Sequence, residues 1–120
     1  MAERDHPYDL EERTARFGEA IVSFARKVPV DDVNAVLIRQ VVRSGTSIGA
    51  NYCEADDAES RKDFRHKIGI CRKESKETKH WLRMLAVGAP LLVQEGRVLW
   101  QEAKELNLIF GRIRRSLDGE

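Results

Sequence analysis

The sequence predicts an all-α protein with the architecture of an up-down-up-down antiparallel four-helix bundle. Apolar residues recur at alternating spacings of four and three in separate stretches of the chain, which is the periodicity of one helix face. No stretch alternates apolar and polar residues as a half-buried strand does. Proline interrupts the pattern only at Pro7, Pro29 and Pro90. A length of 120 residues is enough for a real core, and we expect residues 1–120 to form a single domain.

The first predicted helix spans residues 9–28. Acidic residues lie near its start and basic residues near its end, as the helix dipole favours. Pro29 ends it, and either Asp31 or Asp32 is expected to cap the next helix. The apolar seam consists of Leu10, Thr14, Phe17, Ile21, Phe24 and Val28.

The second predicted helix spans residues 32–58 and has few charged side chains between Val33 and Ala55. Because its apolar residues occupy nearly the whole circumference, we expect it to be buried on most sides. Two glycines, Gly45 and Gly49, would destabilise an isolated helix by about 1 kcal/mol each relative to alanine. The compensating gain that we expect is a close approach of neighbouring helices.

The third and fourth predicted helices span residues 61–86 and 94–117, and Ser60 is expected to cap the third. Residues 91–95 are ambiguous between a loop and a first helical turn. Four seams joined by short connections indicate a bundle. The seam of the third helix is Phe64, Ile68, Cys71, Ser75, Thr78, Leu82 and Leu85, and that of the fourth is Leu99, Ala103, Leu106, Phe110, Ile113 and Leu117.

Composition favours no particular partner, since 34% of the residues are charged and the net charge is only +1. The chain contains neither an apolar run long enough to span a membrane nor a signal-peptide pattern, so we expect a cytoplasmic protein without a membrane partner. Cys53 and Cys71 lack the spacing of metal ligands, and we interpret them as reduced, mostly buried thiols. No metal and no cofactor is predicted.

The third helix separates its charges by sign. Its acids, Asp63, Glu74 and Glu77, lie on one side of the seam, and most of its bases lie on the other. Such segregation makes a positive ridge about 30 Å long that could follow a phosphate backbone. The alternative is that the bases pair with acidic surface elsewhere in the molecule. The candidate nucleic-acid-binding residues are Arg65, Arg72, Lys73, Lys76, Lys79 and Arg83.

A second set of candidates is structural. Beside the seam of the third helix, Ile70, Trp81 and Met84 widen the apolar arc, which suggests contact with another subunit, although bulky rings could instead cap the bundle ends. The second helix carries a polar line whose groups must be hydrogen-bonded if buried. Arg43 and Glu54 lie about 16 Å apart along that helix, so their partners are expected on a neighbouring helix or subunit. The line consists of Gln40, Ser44, Ser47, Asn51 and Glu54 with Arg43, and contact with a ligand or nucleic acid is its alternative role.

Signals of catalysis are few, and we predict that the protein is not an enzyme. The sequence has no glycine-rich phosphate loop, zinc spacing or nucleophile elbow. Arg61 and His66 form an R-x4-H pattern that resembles the ribonuclease signature of HEPN domains, which are also small helical bundles. Because arginine and histidine are common in this segment, chance explains the pattern easily, and a HEPN-like ribonuclease is a remote alternative.

Three segments carry a family resemblance. The first runs Q-V-V-R-S-G-T-S-I-G-A-N-Y-C-E-A from Gln40 to Ala55, and it is followed by S-R-K-D-F from Ser60 and E-S-K-E from Glu74. Together they resemble a bacterial family, the four helix bundle protein family, also called the S23 or ribosomal RNA intervening-sequence protein family. The family pattern is approximately Q-L-x-R-A-x-x-S-I-x-x-N-I-A-E-G, then S-x-K-x-F and a later S-x-K-E. Ala55 stands where the family usually has glycine, so the second helix is expected to continue through Asp57.

The resemblance implies a fold and an assembly more than an activity. Members were first noticed as reading frames inside intervening sequences of large-subunit ribosomal RNA genes. A related protein, the accessory protein of diversity-generating retroelements, forms a positively charged homopentamer that associates with reverse transcriptase and nucleic acid. We therefore expect a homo-oligomer, by this resemblance a pentamer, that binds RNA or DNA through the ridge of the third helix. The alternative is an oligomer that is purely structural or binds a protein partner.

Overall fold

The computed structural model describes residues 9–119, which form four α-helices and one short 3-10 turn. Helix α1 spans Leu10–Lys27, α2 Asp32–Asp56, α3 Arg61–Gly88 and α4 Val93–Asp118, with the 3-10 turn at Pro90–Leu92. The predicted all-α, four-helix fold class is confirmed, and each helix end lies within two residues of its predicted position. Consecutive helices pack against each other, and α1 also contacts α4, which closes the bundle.

Side-chain caps begin two of the helices where the sequence indicates. The Asp31 carboxylate accepts a hydrogen bond from the backbone N–H of Asn34 at 2.7 Å, so Asp31 rather than Asp32 caps α2. The Ser60 hydroxyl accepts from the N–H of Asp63 at 3.0 Å and caps α3. Each cap satisfies a backbone donor that has no partner within its helix.

The ambiguous segment before α4 is divided between two elements. Pro90 starts the 3-10 turn, where its missing N–H is of no consequence, and Val93 begins α4. Helix α2 ends at Asp56, one residue beyond Ala55, and Asp57 is its C-cap. Helix α2 therefore continues past Ala55 as expected, but it ends one residue before Asp57.

The predicted seams form the core. Every seam residue of α1 is buried, and Ile68, Cys71 and Phe110 are fully enclosed. Only the end positions Phe64, Ile113 and Leu117 are partly exposed, because fewer neighbouring side chains surround the ends of a bundle.

Within one chain, the expectation that α2 is buried on most sides is wrong. Val33 and Val36 are 69% and 46% exposed, and Cys53 is exposed although we expected a mostly buried thiol. The reason is that α2 packs mainly against α1 and α3 and meets the diagonally opposite α4 at Tyr52, whose ring centre lies 6.0 Å from that of Phe110, so one side of α2 faces outward.

The glycines of α2 allow the close approach that we predicted. A Cβ atom built on Gly45 would lie 2.9 Å from the side chain of Ile21, and one on Gly49 would lie 3.3 Å from the hydroxyl of Thr14. Both neighbours belong to α1. The two glycines therefore set the distance between α1 and α2.

Candidate functional site

Two of the three acids of α3, Glu74 and Glu77, face α2 and are paired there. The Arg43 guanidinium donates to the carboxylate of Glu74 at 3.3 Å and also to that of Glu77. Farther along the same groove, the Lys67 ammonium lies 2.5 Å from the carboxylate of Glu54, and this hydrogen bond raises the pKa of Lys67. The partners of Arg43 and Glu54 thus lie on the neighbouring helix of the same chain.

The remaining polar groups of α2 are also satisfied. The Thr78 hydroxyl of α3 donates to the buried Ser44 hydroxyl at 2.9 Å. Ser47 donates to the backbone carbonyl of Arg43 at 2.6 Å, and the Asn51 amide donates to the carbonyl of Ser47 at 2.9 Å. The bond between Thr78 and Ser44 therefore links α3 to α2, whereas those of Ser47 and Asn51 stay within α2.

The apolar flank of α3 lies on the same side as its acids. Ile70, Trp81 and Met84 are half-buried, and the Trp81 indole N–H donates to the Glu77 carboxylate at 2.9 Å. Glu77 therefore serves both Arg43 and Trp81. We call the outward surface of α2 and this side of α3 the paired face.

The basic side of α3 faces outward beside α4. Lys73, Lys76 and Arg83 are exposed, and none of them makes an ion pair with another residue between 9 and 119. The Lys79 ammonium lies 5.5 Å from the ring centre of Trp100 on α4, a cation–π distance.

The other two predicted ridge residues contact α4, Arg65 through an ion pair and Arg72 through packing and its backbone carbonyl. The Arg65 guanidinium donates to the carboxylate of Asp118 at 2.5 Å and lowers the pKa of that carboxyl. Arg72 is half-buried, with its side chain across Gly111 of α4, and its backbone carbonyl accepts from the Asn107 amide at 2.8 Å. The structure therefore divides the ridge into a free part and a part engaged with α4.

Helix α4 adds basic residues that the sequence reasoning missed. Lys104 lies 5.8 Å from the centre of the Trp100 ring, and the Arg114 guanidinium lies across Gly69 of α3. The sequence did carry a signal for these residues, because they recur along one face of α4 at spacings of three and four. That face comprises Arg97, Trp100, Lys104, Asn107, Gly111 and Arg114.

Three of the four acids of α4 point away from this face, toward α1, whereas Asp118 pairs with Arg65 of α3. Glu95 pairs with Lys27 at 3.0 Å, and Arg13 pairs with Glu102 at 2.7 Å and with Glu105 at 2.9 Å. The hydrogen bond that the Arg13 guanidinium donates to the Glu102 carboxylate raises the pKa of Arg13. Around Trp100, α3 and α4 thus direct bases toward their shared outer groove, while Glu74 and Glu77 of α3 and Glu95, Glu102 and Glu105 of α4 pair on the other sides of these helices. We call the uncompensated bases around Trp100 the basic strip, which comprises Lys73, Lys76, Lys79, Arg83, Arg97 and Lys104.

Two cavities lie along the basic strip. An open groove of about 500 Å³ is lined by lysines, by Arg83 and by Trp100, together with His80 and the already engaged Glu77. A second pocket of about 380 Å³ is mostly apolar and lies between α1, α3 and α4. Arg83 and Trp100 line both cavities.

The HEPN-like pattern does not form a cleft within one chain. Arg61 and His66 are both exposed at the start of α3. Five residues along a helix place them about 140° apart around its axis. The two side chains therefore point in different directions rather than converging on one substrate.

Residues 9–119 contain neither a metal-binding cluster nor a membrane-spanning helix. This part of the chain contains no group of three or more histidine, cysteine or acidic residues that could hold a metal ion. None of its helices is long and apolar enough to cross a membrane.

Comparison with known proteins identifies the family. A model of the family described as 23S rRNA-intervening sequence protein matches residues 8–112. The chain is 32% identical to a protein of unknown function from the S23 ribosomal protein family of Bacteroides thetaiotaomicron VPI-5482, with a TM-score of 0.78 over 87% of this chain and 96% of that one. No curated protein matches the chain. The chain therefore belongs to the 23S rRNA-intervening sequence protein family.

Proposed function

We propose that the protein is a non-enzymatic, cytoplasmic, homo-oligomeric bundle that binds RNA or DNA through the basic strip. The observation that carries this proposal is the uncompensated charge of the groove between α3 and α4. Each of its exposed bases has room to contact a phosphate, because no acid within residues 9–119 is paired with Lys73, Lys76 or Arg83. Binding to phosphates releases counterions and therefore weakens steeply as salt rises.

The test compares two variants with equal changes of charge. Lys76→Glu with Arg83→Glu reverses two bases of the basic strip, whereas Arg26→Glu with Arg39→Glu reverses two exposed bases on α1 and α2. Affinity for a structured RNA and for duplex DNA is measured across a salt series. We expect only the first variant to lose affinity, with a salt slope smaller by about 1.4 to 1.8, since each lost contact removes about 0.7 to 0.9.

Two outcomes would overturn the proposal. One is the absence of binding by the natural sequence at low salt. The other is an equal loss in both variants, because net charge rather than the basic strip would then determine affinity.

The paired face is our proposed surface for assembly with further copies of the chain. Val33 and Val36 are exposed there, and Ile70, Trp81 and Met84 are only half-buried. An exposed apolar surface of this kind is typical of a subunit interface. A pentamer is the stoichiometry suggested by the similar accessory protein of diversity-generating retroelements.

Native mass spectrometry tests the assembly. We expect a particle of five chains of 13.7 kDa each, and we expect Val36→Asp to dissociate it. The matched control is Leu108→Asp on α4, because Leu108 is exposed to a similar extent at 50%. A monomer at every concentration, or dissociation by both variants, would contradict the proposed interface.

A protein-binding role without nucleic acid is the second candidate. It is favoured by exposed acids of α1, whose negative charge could attract the basic strip of another copy. These acids are Glu11, Glu12 and Glu19. If the basic strip of one copy covers the acids of the next, Lys76→Glu with Arg83→Glu should dissociate the assembly as well. Retention of the assembly by this variant would exclude that arrangement.

A further inference from the structure

The apolar pocket beside the basic strip has the size and lining of a binding site for a small planar group. Its volume of about 380 Å³ falls within the usual range for small-molecule sites, roughly 300 to 1,000 Å³. Phe24 of α1 forms part of its lining, and Leu82 and Leu85 of α3 form another part. Among residues 9–119, charged groups enter the lining only through Arg83 and Arg97.

The pocket and the open groove are neighbours that share two residues. Trp100 and Arg83 line both cavities, so a ligand lying in the groove passes directly beside the pocket. The ammonium groups of Lys79 and Lys104 lie 5.5 and 5.8 Å from the centre of the Trp100 ring. An aromatic surface with cations around it suits a flat ring that is attached to an anionic backbone.

A glycine keeps room in the pocket on the α4 side. A Cβ atom on Gly96 would lie 3.6 Å from Cζ of Phe24, which is an ordinary van der Waals contact. Alanine would therefore fit there, but a longer side chain would occupy the space in front of the Phe24 ring. Gly96 thus offers a way to fill the pocket without changing any charge.

We propose that the basic strip binds single-stranded nucleic acid, with one unpaired base in the apolar pocket against Trp100 and the flanking phosphates on Arg83 and Lys79. This inference rests on the proposed function and specifies its substrate class. A nucleobase in a duplex is stacked on both faces and paired with the other strand, so it cannot enter the pocket. A duplex would therefore contact only the lysines and arginines of the basic strip. An unpaired base has a free face to stack on the indole.

The first experiment compares three probes of equal length: an oligothymidylate, an abasic strand with the same sugar–phosphate backbone, and a duplex. We expect the oligothymidylate to bind roughly 5- to 140-fold more tightly than the abasic strand, which is the range for stacking of one base on an aromatic side chain. Equal affinity for all three probes would overturn the single-strand inference and leave the proposed function standing. Failure of all three to bind would overturn both.

The second experiment uses the fluorescence of the two tryptophans, Trp81 and Trp100. In Trp81→Phe the remaining emission comes from Trp100, and in Trp100→Phe it comes from Trp81 on the paired face. We expect the oligothymidylate, but not the abasic strand, to quench Trp100, and Trp81 to serve as the unquenched control. Equal responses of Trp100 to both strands would contradict stacking.

A third variant fills the pocket. Gly96→Leu should abolish the preference for the oligothymidylate over the abasic strand while affinity for the abasic strand is retained. The matched control is Val98→Leu on the exposed side of α4, which should keep the preference. A preference that survives in Gly96→Leu would place the base outside the pocket and overturn the inference.

Discussion

The two grooves beside α3 differ in how their charges are used. On the paired face, Glu74 and Glu77 meet Arg43 of α2, and Lys67 meets Glu54. On the other side, the bases of α3 meet further bases of α4 around Trp100. Oppositely charged side chains that face each other hold the helices in register. Basic side chains that face other basic side chains remain available to an anionic partner.

The ion pairs of the paired face contribute little to the stability of the fold. Arg43 is 45% exposed, and pairs of this kind contribute only about 0.2 to 1 kcal/mol each. Buried hydrogen bonds and close packing beneath them contribute more. The two grooves should therefore respond very differently to matched substitutions.

The largest effect is expected at the buried hydroxyl pair beneath the paired face. Thr78→Val preserves shape but leaves the Ser44 hydroxyl without its partner, and we expect the free energy of unfolding to fall by roughly 1 to 3 kcal/mol. Urea denaturation followed by circular dichroism measures it. Adding Ser44→Ala should restore most of the loss, because both polar groups are then absent. A double variant as unstable as the sum of the single ones would show that the pair is not coupled.

A smaller effect is expected from two glycines of α3 that have different neighbours. A Cβ on Gly88 would collide with the Asn34 side chain, which is fixed by hydrogen bonds to the carbonyls of Pro29 and Gly88 at 3.0 and 2.9 Å. A Cβ on Gly69 would meet only the end of the Arg114 side chain at 2.5 Å, which can move into solvent.

We therefore expect Gly88→Ala to destabilise the fold by about 1 kcal/mol or more. Gly69→Ala should be neutral or stabilising by up to about 1 kcal/mol, since alanine favours a helix interior. Thermal unfolding of the two variants side by side tests this difference. Similar melting temperatures would mean that the two grooves are equally rigid.

A still smaller effect is expected from removing one charge on each side of α3. Glu77→Gln weakens the contact to Arg43 and should lower stability by about 0.2 to 1 kcal/mol. Lys76→Gln removes an unpaired charge, and its stability should change by less than about 0.5 kcal/mol. High salt should shrink the first effect because it screens the ion pair. An equal loss in both variants would argue against the distinction between the grooves.

The last comparison concerns the reactivity of the two thiols, Cys53 and Cys71, rather than the stability of the fold. Cys71 is buried between α2 and α3, its thiol donates to the carbonyl of Ile48 at 3.6 Å, and burial raises its pKa to about 12. Cys53 is exposed. At neutral pH a thiol reagent should modify Cys53 quickly, and Cys71 only when the paired face opens. The Cys53→Ser variant isolates the slow reaction, and rapid modification of Cys71 in that variant would show that the groove is open.

Much of the fold was predictable because it depends on local periodicity. The seams of α1, α3 and α4 and the cap at Ser60 were predicted correctly from spacing and residue type, and the cap of α2 was narrowed to Asp31 or Asp32. The burial of α2 was not, because apolar character does not reveal how many neighbours a helix has. Val33, Val36 and Cys53 are exposed for that reason.

The candidate site was predictable only in part. Segregation of charge identified the basic side of α3, but it could not show that Arg65 is engaged by Asp118 or that Trp100 lies beside Lys79. Those facts depend on how α3 and α4 are aligned. The bases of α4 carried a readable spacing, yet only the packed bundle shows that they face the bases of α3.

By itself the sequence determined the four helices, their buried seams, the family and the separation of charge along α3, because each of these follows from residues close together in the chain. The tertiary structure decided which charges are paired and which are free. A charge is neutralised by whatever lies within a few ångströms of it in space. For α3 those neighbours come from α2 on one side and α4 on the other, and their identity became known only when the helices were packed.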